Sequence, residues 1–521
     1  MSKFLKGTMI LLAAGLVTRV LGFINRIVIA RFIGEEGVGL YMMAFPTMIL
    51  VVTITQLGLP VAISKSVAEA EARGDTAKIK KILIVSLATT ISLSIVFTPA
   101  LILLAPLLSE TLFTDNRTHL PLMAIAPIVP IIAVSSVIRG YFQGRQNMKP
   151  AAYSQMIEQI VRISLIALMT KAFLPYGIEY AAAGAMLAAV IGELASLLYL
   201  MTTFKLKKKF RVRKQFFKYV SSGKSTFNEL MTVALPTTGS RMIGSVSWFF
   251  EPIVVAQSLA LAGVAAAAAT KQYGALTGFA MPLLMLPSFI TYSLSTSLVP
   301  AISEANSQNK MGLIEYRLQQ ALRFAFITGG LAVVVLYVLS DQLMEVMYGS
   351  SSGSHFIKLM APFFLFYYYQ GPLQATLQAL NLARAAMINS LIGAVVKTAV
   401  IFLLASQPAF GINGVAMGIL TGTVLVTMLH FATVLKAISF TFFIRDYIKT
   451  FIAMVMSGGA GFWMLKDILA TDMNTAAGVI LVSTVITIVY IVLLLLLKLI
   501  KKNDLVRIPG IGKMISRLAF K

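Results

Sequence analysis

Three arginines stand inside strongly apolar sequence. Arg19 and Arg26 are seven residues apart, hence on one face of a helix, and Arg241 follows much later. A charge at the centre of a bilayer costs at least about 2.5–3.5 kcal/mol on insertion scales, so it faces a cavity or a partner. Guanidinium stays charged, and its planar fork grips phosphate through two parallel hydrogen bonds. Together in one cavity, Arg19, Arg26 and Arg241 would bind an anionic headgroup. Glu158, Arg162, Glu193 and Lys397 form a second set of intramembrane charges. Glu158 precedes Arg162 by four residues, the spacing of a local helical ion pair that fixes packing. Glu251, just before Pro252, reads as an interfacial residue at the end of its apolar stretch.

Other chemistry is poorly supplied. The chain has no cysteine, which excludes disulfides, thiolate zinc sites and cysteine nucleophiles. Its three histidines, His119, His355 and His430, are too scattered for a histidine-rich metal site. No cofactor is expected, and a coupling ion stays open. Gly223-Lys224-Ser225-Thr226 ends like a phosphate-binding loop, but Lys218 stands where the first glycine belongs. Gly34 to Gly39 lacks the dinucleotide-binding spacing and reads as a loop. The run Phe363, Phe364, Phe366, Tyr367, Tyr368, Tyr369 is the composition of helix packing. The loops on the outer side are short and offer no cluster of catalytic acids, so an enzyme is not expected.

The elements that must position these residues are membrane spans. Of 521 residues, 58% are hydrophobic and 12% charged, with a mean hydropathy of +0.85. That balance excludes a water-soluble globular domain. Fourteen spans can be read: 7–31, 40–64, 82–108, 119–139, 151–172, 179–203, 228–250, 273–299, 320–340, 356–380, 386–405, 411–434, 447–465 and 478–498. The net charge of +24 is mostly a topology signal rather than a nucleic-acid signal. Assigning loops alternately to two sides puts 33 Lys and Arg on one side and 6 on the other. This predicts an inner-membrane protein with both termini in the cytoplasm. The basic run 204–227 anchors that side on anionic lipid, and the basic, amphipathic tail 499–521 is expected to lie along the membrane surface.

The chain also repeats itself. Thr18-Arg19-Val20-Leu21-Gly22 matches Ser240-Arg241-Met242-Ile243-Gly244, and Gln143 to Arg162 runs in register with Gln378 to Lys397. The repeat pairs Arg19 with Arg241 and Arg162 with Lys397. It divides the chain into an N-lobe (1–203), a linker (204–227), a C-lobe (228–434), two further spans (435–498) and the tail (499–521). Each lobe holds six spans, an even number, so the lobes share one orientation. Such parallel repeats place a binding cavity between two bundles that rock against each other. The expected fold is an all-α polytopic membrane protein with two six-helix repeats around a central cavity. Pro46, Pro282 and Pro287 are expected to bend the second and eighth spans.

These features resemble the polysaccharide-transporter branch of the multidrug/oligosaccharidyl-lipid/polysaccharide exporter superfamily. The likeness is carried by Phe4-Leu5-Lys6-Gly7-Thr8, Thr18-Arg19-Val20-Leu21-Gly22-Phe23, Ala30 to Met43, Arg139-Gly140-Tyr141-Phe142-Gln143-Gly144 and Leu235 to Arg241. It extends over essentially the whole chain. The resemblance implies a flippase for an undecaprenyl-linked precursor, required for spore cortex peptidoglycan. It implies as partners a lipid-linked glycan precursor, membrane lipids and cortex-synthesis proteins, and no nucleic acid. The superfamily's lipid II flippase carries a [ST]-R-V-L-G-F motif and then a second arginine on its first span. Arg19 fits the first; Asn25 occupies the second position and Arg26 follows it, a helical turn of about 100° away from register. That flippase also has a cavity arginine on its eighth span, whereas 273–299 here contains none and Lys271 is the nearest cation. Two alternatives stay open. A cation-coupled antiporter of small molecules would need Glu158 or Glu193 as its carboxylate, and a non-transporting scaffold of the cortex machinery would need no site.

Overall fold

The computed structural model describes residues 3–207, 216–441, 443–469 and 475–499, and among them there is no strand. In lipid each backbone N–H and C=O must be satisfied within its own segment, and an apolar run achieves this as a helix. The helices are α1 (Lys3–Gln56), α2 (Leu59–Ala72), α3 (Thr76–Leu107), α4 (His119–Ile125), α5 (Ile128–Gly144), α6 (Lys149–Phe173) and α7 (Ile178–Lys207). They continue with α8 (Phe216–Ser221), α9 (Lys224–Leu261), α10 (Ala266–Gly274), α11 (Met281–Met285), α12 (Ser288–Ser307), α13 (Met311–Val338) and α14 (Ser340–Tyr348). The last are α15 (Ser354–Ala379), α16 (Ala383–Ala405), α17 (Gly411–Ala437), α18 (Ile444–Leu469) and α19 (Thr475–Leu496). Residues 208–215 of the basic linker and 500–521 of the tail lie outside the described residues.

This is an all-α, multi-pass membrane protein. Among the described residues ten helices are long and apolar enough to cross a bilayer, or eleven if a bent pair is one span, so the count of fourteen is not confirmed. The differences are local. The stretch Gly15–Ala72 covers what reads as two spans and is broken at Gly34 and again between α1 and α2. α6 and α15 are long helices that are not among the ten, and both carry polar and charged residues. The expected 273–299 span is a composite. A π-helical turn (Ala275–Ala280) follows α10, and the chain bends by 54° between Ala266–Met285 and Ser288–Ser307. Pro287 sits in that break, whereas Pro46 lies inside α1.

One residue interrupts α1. Gly34 has φ 63° and ψ −172°, in the region that disfavours any side chain, while the residues on both sides are helical. Asp75 starts α3 by accepting a hydrogen bond from the Lys78 N–H at 2.8 Å.

Packing separates two compact units. One comprises Met1–Phe279 and Thr398–Val415, the other Ala280–Lys397 and Ala416–Lys521. The first has a core in which Leu59, Ile63 and Val67 of α2 meet Ile82 and Leu83 of α3, Tyr141 and Phe142 of α5, and Leu230 and Ala234 of α9. The second has a core of Leu298 and Ile302 from α12, Leu318 and Leu322 from α13, Leu373 and Leu377 from α15, and Val434 from α17.

Candidate functional site

Arg19, Arg26 and Arg241 all belong to the first unit. Arg19 and Arg26 are half-buried on α1, before its break, and neither is isolated. Arg162 and Arg26 both lie within electrostatic reach of the buried phenol of Tyr41. Arg241 is exposed on α9. One turn further along, Ser245 hydrogen-bonds Thr53 of α1 at 2.9 Å, and Trp248 meets Phe45 edge to face with ring centroids 5.8 Å apart. The part of α9 that carries Arg241 therefore packs along the second half of α1.

Glu158 and Arg162 form the ion pair their spacing suggests, at 2.6 Å within α6. They are half of a larger cluster. Arg139 of α5 reaches Glu193 of α7 at 3.0 Å and Glu158 at 3.6 Å, and donates to Ser196 at 2.8 Å. Ser135 donates to Glu193 at 2.6 Å. The span read as 119–139 thus continues further, because α5 runs to Gly144 and holds the Arg139 guanidinium inside the helix bundle rather than at a span end. Hydropathy could not reveal it, since the apolar run ends at Arg139 although the helix does not. Two guanidiniums and two carboxylates balance, which offsets much of the cost of burying each.

Lys397 is half-buried on α16, with its Cβ beside Gly422 of α17, and it too has a partner. Glu251 is not at a span end: α9 runs on to Leu261, and Glu251 hydrogen-bonds the buried Tyr273.

A third group was not apparent in the sequence. Asp115, only 5% exposed, lies in the turn between α3 and α4 and holds Arg117 through both oxygens, at 3.0 and 2.9 Å. It also accepts from Thr270 of α10 at 2.7 Å. Arg117 continues to Glu36 at 2.6 Å, and Lys271 lies 3.9 Å from Glu35. Burial opposes ionisation of Asp115, but the hydrogen bonds from Arg117 and Thr270 outweigh it and hold the carboxyl below its ordinary range. The only sequence signal was opposite charges in separate short loops. Among the described residues no group of three or more His, Asp or Glu could hold a metal ion.

Residues 4–306 match the family described as polysaccharide biosynthesis protein, and 253–403 match the MatE family. Stage V sporulation protein B of Bacillus subtilis (strain 168) is 62% identical over 516 residues, covering 99% of both chains. The lipid II flippase MurJ of the same organism is 25% identical over 420 residues, 76% of each chain. Among solved structures, lipid II flippase MurJ in an inward closed conformation has a TM-score of 0.69 at 16% identity, covering 96% of this chain and all of that one. An inward-facing multidrug resistance MATE family transporter of the MOP superfamily has a TM-score of 0.64, covering 81% and 94%. At that identity the structures show a shared fold. The chain belongs to the polysaccharide biosynthesis protein family, in the polysaccharide-transporter branch of the MOP exporter superfamily, and is a membrane transporter rather than an enzyme.

Proposed function

We propose that the chain is a flippase for an undecaprenyl-pyrophosphate-linked peptidoglycan precursor, working by alternating access in spore cortex formation. It would sit in the bacterial inner membrane with both termini in the cytoplasm. Arg19 and Arg241, with Arg26, would hold the pyrophosphate. The observation that carries this reading is the placement of these cations in one unit of a MOP-type fold, Arg241 on the part of α9 that packs along the second half of α1 and Arg19 and Arg26 on α1 before its break. The relatives' names agree with it: one is a sporulation protein and another a lipid II flippase. The antiporter alternative loses ground for a specific reason. Glu158 and Glu193, its candidate carboxylates, are already committed to Arg162 and Arg139.

The test is binding of a lipid-linked pyrophosphate to the purified protein, together with cortex formation in cells expressing each variant. Replacing Arg19 or Arg241 by alanine removes a charge-assisted contact worth about 1.5–3 kcal/mol. That is a loss of about tenfold or more in affinity. Lysine should restore only part, because the bidentate fork is gone. Unchanged binding and normal cortex in the Arg19→Ala, Arg241→Ala double variant, at parental protein levels, would overturn the proposal.

A further inference from the structure

We propose that α1 beyond its break, the turn holding Asp115, and α10 form a latch that keeps the transporter shut on the side opposite its termini. The inference rests on the transporter reading and on the charge-derived orientation, which puts Arg117 and Lys271 on the outer side.

The latch begins with two glycines. Glu35 and Gly39 are four residues apart on α1, and Thr270 and Gly274 are four apart on α10. The contact is reciprocal. A Cβ on Gly39 would run into the Thr270 carbonyl, and a Cβ on Gly274 would run into the Glu35 carbonyl and lie 2.7 Å from the Gly39 nitrogen. Just beyond, a Cβ on Gly278 would strike Val38. Small residues at this spacing let two helices touch backbone to backbone in a membrane. Such a joint is mostly backbone against backbone, with Val38 over Gly278 and Thr270 over Gly39 as its side-chain contacts, so little repacking is needed for the helices to part.

The polar groups hold it shut. Thr270 donates to Asp115, Asp115 fixes Arg117, and Arg117 grips Glu36, so the chain of bonds closes back on α1. Gln257, near the end of α9, donates to the Thr111 carbonyl at 2.7 Å and binds the same region from another side. α1 and the Asp115 turn come from the first sequence repeat, while α10 comes from the second. When a transporter built of two repeats opens to one side, segments from the two repeats must separate there.

Exposure distinguishes this cluster from the Arg139 cluster. The side chains of Arg117, Glu36 and Lys271 are 30%, 36% and 62% exposed, so water can replace their partners on opening, while the buried Asp115 keeps Arg117 of its own turn. Arg139 and Glu193 are 17% and 3% exposed, and parting them would strand charge in an apolar interior. One cluster can cycle, whereas the other fixes α5, α6 and α7 together.

The absence of cysteine gives a clean test. Ser245→Cys is the reporter: Ser245 is 8% exposed and lies between α9 and α1. The full-length protein is reconstituted in liposomes, and a membrane-impermeant maleimide is added to one face at a time. Lys224→Cys marks the cytoplasmic face. Thr270→Val, Asp115→Asn and Gly274→Ala, each on the reporter background, should label roughly tenfold faster or more from the outer face. Thr270→Ser, which keeps the hydroxyl, should label at the parental rate. If Gly274→Ala fails to accumulate, Thr270→Val carries the test. Parental labelling rates in folded Thr270→Val and Asp115→Asn would overturn the latch, and so would acceleration from the cytoplasmic face alone. The assay contains no lipid-linked precursor, so its failure is distinct from failure of the arginines to bind one.

Discussion

Arg139 holds the buried Glu193 and the half-buried Glu158 through one guanidinium. Replacing it by glutamine would leave Glu193, 2% exposed, with Ser135 as its remaining hydrogen-bond donor. Breaking a buried pair by removing one partner typically costs about 3–5 kcal/mol. Arg139→Gln should therefore sharply lower the thermal unfolding temperature of the detergent-purified protein. Glu193→Gln should do less harm, because an amide oxygen still accepts from Ser135 and Arg139 keeps Glu158 and Ser196. An equal, small effect of both variants would show that the cluster contributes little. Asp115 gives a pH prediction. Its folded pKa is depressed, so its stabilising contribution is complete above the unfolded value of about 3.9 and is lost as pH falls through the folded value. The groups facing it are Arg117 and Thr270, with Glu36 beyond Arg117. Outer-face labelling of the Ser245→Cys reporter, taken relative to an exposed control cysteine so that the loss of thiolate cancels, should stay flat from about pH 8 to about pH 5. A rise within it would place the sensitive group elsewhere. At this scale the sequence disclosed what spacing along one helix can disclose, namely Glu158 with Arg162. The contribution of Arg139 depends on α5, α6 and α7 meeting, which no local spacing encodes.

Helix pairs add a signal of their own. In the first repeat, Gly192 of α7 lets α6 approach. A Cβ there would sit 2.9 Å from the Glu158 carbonyl and 3.1 Å from the Arg162 Cβ. In the second repeat the glycine has changed helices. Gly393 of α16, in register with Glu158, faces Val426 of α17, which is in register with Gly192. The same crossing is thus relieved from opposite sides. Gly192→Ala should push α6 from α7 and cost about 1–3 kcal/mol, as overpacking usually does. It would read out as a lower unfolding temperature, and no change would mean that the helices can give way. The pattern also explains a gap in the sequence reading. The repeat was legible from motifs such as Arg19 with Arg241, but position-by-position comparison overlooks a contact whose small residue has moved to the partner helix.

For the molecule as a whole, single cysteines after Lys224 and after Lys521 should label only from the cytoplasmic face. Labelling of either from outside would sink the orientation derived from loop charge. Membrane insertion and the all-helical fold were legible because apolar length in a bilayer permits little else. The span count was less so, because hydropathy cannot see that Pro287 divides a helix or that α6 and α15 are long despite their polar residues. The interruption at Gly34 has a mechanical consequence. Arg19 and Arg26 lie on the helix before it, and Glu35 and Glu36 are the first residues after it. A one-residue joint has almost no slack. A displacement of the end of the first segment, such as capture of a phosphate by its arginines would cause, is passed to the acids at once, as through a coupling without backlash. Inserting two glycines after Gly34 should then leave headgroup binding and closed-state labelling each measurable, yet make the second indifferent to the first.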